Sequence, residues 1–87
     1  MTQSQAMDVR FTRSARKHRV GKARVVAAME DSGEPQRIPA SEPGESDRLL
    51  WIGRDAAGVL IEVIAVERPD ALLVIHAMPL HYRDRRR

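Results

Sequence analysis

Three histidines and two runs of basic residues are the groups in this chain whose types could do chemistry. His18 stands among Arg16, Lys17 and Arg19. Those cations disfavour its protonated form, which suits a base near neutral pH, although a surface histidine in a basic segment is also ordinary. His76 alternates with Leu72, Val74 and Met78 along one apolar run. A lone histidine there is more often a core or edge residue with its hydrogen bonds made. His81 follows a few residues on. As a metal set the three are weak, because no pair has helical i, i+4 spacing and no carboxylate completes a group. The chain has no Cys, so a thiol nucleophile, a thiolate metal site and a disulfide are all closed to it. It has no Walker loop, GxGxxG, GxSxG or HExxH, and no cofactor is expected. Glu62 lies in the most apolar run of all. If buried, it needs a cationic partner such as an arginine or must be protonated; at an edge it would face solvent.

The basic residues are placed unevenly. Arg10, Arg13, Arg16, Lys17, Arg19, Lys22 and Arg24 fall in a stretch without an acid, and Arg83, Arg85, Arg86 and Arg87 crowd the C-terminus. These are eleven of the fifteen basic residues. Between them lies an acidic middle, Glu30, Asp31, Glu34, Glu42, Glu45 and Asp47, interrupted by Arg37 and Arg48. Such a distribution suggests an anionic partner for the basic ends, nucleic acid being the commonest; the plain alternative is a pair of solvated faces.

The elements that must position these groups are organised around residues 49–78. Three apolar runs, 49–52, 59–66 and 72–78, are separated by Arg54-Asp55-Ala56-Ala57-Gly58 and by Arg68-Pro69-Asp70. Runs this short and this rich in Val, Ile and Leu read as strands, and the short connections predict an antiparallel meander. The middle run is apolar on both alternations, which predicts a central strand. Thr12 is a plausible N-cap for a first helix through His18. Gly21 opens a second helix over 22–30, with Val26 and Met29 on one face. Ser32-Gly33 and Pro35 stop it. Residues 36–39 predict an edge strand, since Pro39 is tolerated there, and 40–47 a polar loop. Val26, Met29, Trp51, Ile61, Val63 and Ile75 are expected to share one core.

Eighty-seven residues make one domain. The expected division is a flexible 1–10, an α+β domain over 11–82 and a basic tail over 83–87. The fold expected is two N-terminal helices packed on a three- to four-stranded antiparallel sheet. No apolar run reaches transmembrane length and residues 1–10 hold no signal-peptide core, so no membrane and a cytoplasmic location are expected. A homo-oligomer stays open.

The pair Lys17-His18, the helix after it, the acidic loop, and the pattern RLLWIG…G.LIEVIAVER.D.LLVIHAM…YRDR together resemble BrnT-type toxins of the RelE-like ribonuclease superfamily. The resemblance runs over residues 11–85. It implies a RelE-like fold, metal-independent cleavage of RNA, and a cognate antitoxin encoded by a neighbouring gene. Two departures stand out: Arg19 occupies a place where the family prefers Gly, and Pro79-Leu80 interrupts a stretch that is usually basic. By this resemblance a base takes the ribose 2′-hydroxyl proton, cations meet the phosphorane charge and an acid protonates the leaving oxygen. Lys17 and Arg83 become candidates for phosphate stabilisation, and His18, His76 or His81 for base or acid. Tyr82 could stack on a base or donate a proton. Arg13, Arg16, Arg19 and Arg85 are candidates for holding RNA. The alternative implied is a catalytically inactive relative that binds RNA or a partner protein.

Overall fold

A computed structural model describes residues 8–82. Five strands and one α-helix make up the fold: β1 (Asp8–Phe11), α1 (Lys22–Ser32), β2 (Gln36–Ile38), β3 (Arg48–Arg54), β4 (Leu60–Arg68) and β5 (Ala71–Pro79), with a 3-10 turn at Ser14–Arg16. The strands form one sheet in the order β1-β5-β4-β3-β2. The meander β3-β4-β5 is antiparallel with β4 in its middle, and β2 is an antiparallel edge on β3. No helix among the described residues is long and apolar enough to cross a membrane.

Two features correct the architecture expected from the sequence. The segment before β2 holds one α-helix, not two: the turn capped by Thr12, whose Oγ1 accepts from the Ala15 amide at 3.2 Å, ends at Arg16. Seven residues without a strong apolar stripe cannot sustain a helix of their own. The sheet, in turn, is five-stranded and mixed. Residues 8–11 form a strand paired in parallel with β5, Asp8 opposite Ala71 and Phe11 opposite Val74. Val9 and Phe11 supply its inward side chains and pack against the core.

The core lies between α1 and one face of the sheet. Trp51, Ile61 and Val63 are buried there as expected, with Leu49, Ala65, Val74 and Ala77. Each fully buried Val or Ile contributes about 1.5–3 kcal/mol relative to exposure. The helix enters with Val25 and Ala28 buried, while Val26 is only half-buried and Met29 packs at the margin. The reason lies in β3. At Gly53 a side-chain carbon would collide with the Ala28 carbonyl, so helix and strand backbones touch directly. Only a small residue of α1 fits over that place, and Ala28 takes it. Ile75 is likewise half-buried, because β5 is irregular at this point. Ile64 pairs with His76 but Ala65 pairs with Val74, leaving Ile75 as the extra residue of a β-bulge.

Three turns fix the frame. Gly33 ends α1 with φ 80°, and Gly58 closes the β3–β4 turn with φ 85°, both in the region that L side chains avoid. Asp55 organises that second turn: its Oδ1 accepts from the Ala57 and Val59 amides at 3.0 and 2.9 Å. Arg24 of α1 reaches across to donate from Nε to Asp55 Oδ2 at 2.7 Å. The polar loop between β2 and β3 is closed by Asp47, whose Oδ1 accepts from the Ala40 amide at 2.9 Å.

Candidate functional site

The bulge decides what the second face of the sheet carries. Before Ile75, β5 sends Val74 toward the helix; after it, Ala77 points there. His76 and Met78 therefore share the opposite face with Ile64 and Glu62 of β4, their cross-strand partners. The α-helix lies on the other face. Leu50, Ile64 and Leu73 are half-buried on it and Ile52 is exposed.

Glu62 is nonetheless buried, at 4% exposure. A carboxylate so placed must have a strong partner. Its Oε2 lies 2.9 Å from Nε2 of His76. An ionised Glu62 only accepts, and in that state Nε2 donates and the ring is held by it. The contact holds the imidazole in the way a carboxylate orients a catalytic histidine. Among the described residues, a histidine on the neighbouring strand is a partner of Glu62.

A second histidine meets the first. The rings of His18 and His76 stand 6.2 Å apart, centre to centre, at 78°. Tyr82 lies 5.7 Å from His18 at 80°, and His81 lies 5.0 Å from Tyr82 at 79°. These are edge-to-face arrangements. Two local devices bring His18 there. Ser14 Oγ donates to the Ile75 carbonyl at 3.1 Å, so the 3-10 turn is tied to the bulged residue itself. Arg19 then adopts φ 58°, the only positive φ of a non-glycine residue among those described, and turns the chain away toward Gly21 and α1. This is the position where the resemblance calls for glycine, and here an arginine holds the left-handed conformation. Val20 beyond it is buried and locks the reversal. At the other end, residues 80–82 form a short 3-10 turn that brings Tyr82 against His18.

Of the residues singled out from sequence, His18, His76 and Tyr82 thus come together, and His81 joins through Tyr82. Lys17, Arg13, Arg16 and Arg19 are exposed on the turn that carries His18. Arg16 and Arg19 also line, with Arg10 and Lys22, a cavity of about 560 Å³ floored by Val9, Phe11 and Val20. Arg83 and Arg85 lie outside the described residues. In the sequence Glu62 stands out only as a carboxylate inside the most apolar run. Among the described residues there is no group of three or more His, Cys, Asp or Glu placed to hold a metal ion. Set against family models, curated proteins and solved structures, the chain matches none of them.

Proposed function

We propose that the protein is a metal-independent endoribonuclease acting as the toxin of a toxin–antitoxin pair, with RNA as substrate and the product of a neighbouring gene as antitoxin. The observation that supports this reading is the meeting of His18, His76 and Tyr82 beside the buried Glu62, next to an acid-free basic turn. Cleavage by internal attack needs only a base, an acid and cations. In this reading Nδ1 of His76, steadied by Glu62, takes the proton of a ribose 2′-hydroxyl. The 2′-oxygen attacks the adjacent phosphorus, the bond from phosphorus to the 5′-oxygen breaks, and a 2′,3′-cyclic phosphate remains. His18 or Tyr82 gives a proton to the departing 5′-oxygen. Lys17, Arg16 and Arg19 meet the charge on the phosphorane.

The test is cleavage of RNA by purified protein in the presence of a chelator, with growth arrest on expression without the antitoxin. His76→Ala should abolish cleavage and Glu62→Gln should slow it, by about a hundredfold for a lost preorganised contact. If the folded protein leaves RNA intact but binds RNA or a neighbouring protein tightly, it is a non-catalytic binder instead.

A further inference from the structure

The face of the sheet that carries Glu62 and His76 holds a second feature. A slot of about 630 Å³ is lined by Ile52, Val59, Leu60 and Leu80, with Arg54 and His81 at its margins. It has the size of a small-ligand pocket. Its floor is aliphatic, and Ile52, 40% exposed, is the large apolar residue most open to water among those described. The sheet order fixes the arrangement of the rim: Arg54 comes from β3 and His81 follows β5, on either side of Leu60 on β4. The Arg54 guanidinium has no ion-pair partner among the described residues; its backbone amide alone is engaged, donating to Asp31 at 2.7 Å. Ile52 is the cross-strand partner of Glu62, and Leu60 lies two residues from Glu62 on the same face, about 6–7 Å along the strand.

We infer that this slot is a subsite for one unstacked nucleotide next to the phosphodiester under attack. A nucleotide within a strand is a flat ring between two anionic phosphates. An apolar floor with a guanidinium on one side and an imidazole on the other matches that pattern. The inference rests on the ribonuclease reading: it assigns the slot to the substrate's neighbouring base and Arg54 to that nucleotide's phosphate. It also gives the enzyme a means to prefer one base by the fit of its ring between Ile52 and Leu80.

Deoxy-trinucleotides of each base serve as probes, because without a 2′-hydroxyl they bind but cannot be cleaved by internal attack. Titrated into full-length protein with labelled methyl groups, they should shift the resonances of Ile52, Val59, Leu60 and Leu80, with affinities that differ among bases. Arg54→Ala should weaken binding about tenfold, the value of one charge-assisted contact. Ile52→Ala, an exposed change that leaves the core alone, should narrow the differences among bases. Shifts confined to residues 13–22 would overturn the subsite while ribonuclease activity stands. A protein that neither binds these probes nor cleaves RNA, with the same methyl groups shifted by a protein partner, would remove the subsite and the ribonuclease reading together.

Discussion

Arg19 offers the sharpest test of how this site is built. It holds φ 58°, a conformation that costs an L-residue about 1–2 kcal/mol. Glycine adopts it without that cost, but its freer unfolded chain returns about 0.4–1 kcal/mol. Arg19→Gly should therefore stabilise the fold by roughly 0.5–1 kcal/mol. For a domain of this size each kcal/mol moves Tm by about 4–8 °C, so a rise of roughly 2–8 °C is expected. Arg19→Ala is the control: it removes the same side chain and keeps the constrained backbone, so its Tm should stay near that of the parent. Thermal melts followed by circular dichroism, with urea titrations in parallel, read both. The two variants should lose RNA affinity equally, and the slope of log affinity against log salt should fall by about 0.7 for the one phosphate contact removed. Equal melting temperatures for the Gly and Ala variants would refute the argument, since the backbone at position 19 would then carry no strain to relieve.

Other expectations concern the frame around the site. Gly53→Ala should destabilise by about 1–3 kcal/mol, seen as a lower urea midpoint, because the new methyl collides with the Ala28 carbonyl in a packed interface. The carboxyl of Asp55 is held below its ordinary range, first by the hydrogen bond from Arg24 and then by the Val59 amide. Its contribution is thus complete above the usual aspartate pKa of about 4 and is lost as pH falls through the lowered folded value. Arg24→Gln should move the onset of acid unfolding to higher pH in a circular dichroism titration, and an unchanged onset would count against the pair. A double-mutant cycle on Glu62→Gln and His76→Asn should give a coupling of about 0.5–3 kcal/mol in stability, whereas additive effects would mean that the two side chains do not act as a unit.

Much of the frame was legible in the chain. The doubly apolar run around Val63 marked the central strand, Gly33 and Gly58 marked their turns, and Pro39 marked an edge. Two things were not legible, each for a physical reason. The pairing of β1 with β5 joins segments from opposite ends of the chain, and nothing local in Asp8-Val9-Arg10-Phe11 announces a partner so distant. The contact between Glu62 and His76 was hidden by the bulge. Continuing the register of Arg68 with Ala71 and Ala65 with Val74 would set Glu62 opposite Ala77, and His76 opposite Val63 on the helix side. Read with strict alternation, the histidine belongs to the core and the glutamate stands alone. One extra residue reverses the sense of everything after it. The helix face was misjudged for a related reason: periodicity suggested Val26 and Met29, but the close contact at Gly53 selected Ala28.

The bond between Ser14 and the Ile75 carbonyl spans 61 positions of the chain. A ribosome delivers the two ends in order, so the turn bearing His18 waits in solution until β5 has been made. Only then do β1 and the turn find the edge they dock on. Every earlier, partly synthesised form of the polypeptide lacks the partner that brings His18 to His76. A product truncated before β5 carries His18 but neither His76 nor Tyr82. On the ribonuclease reading, a site able to cut RNA exists only once β5 has been made.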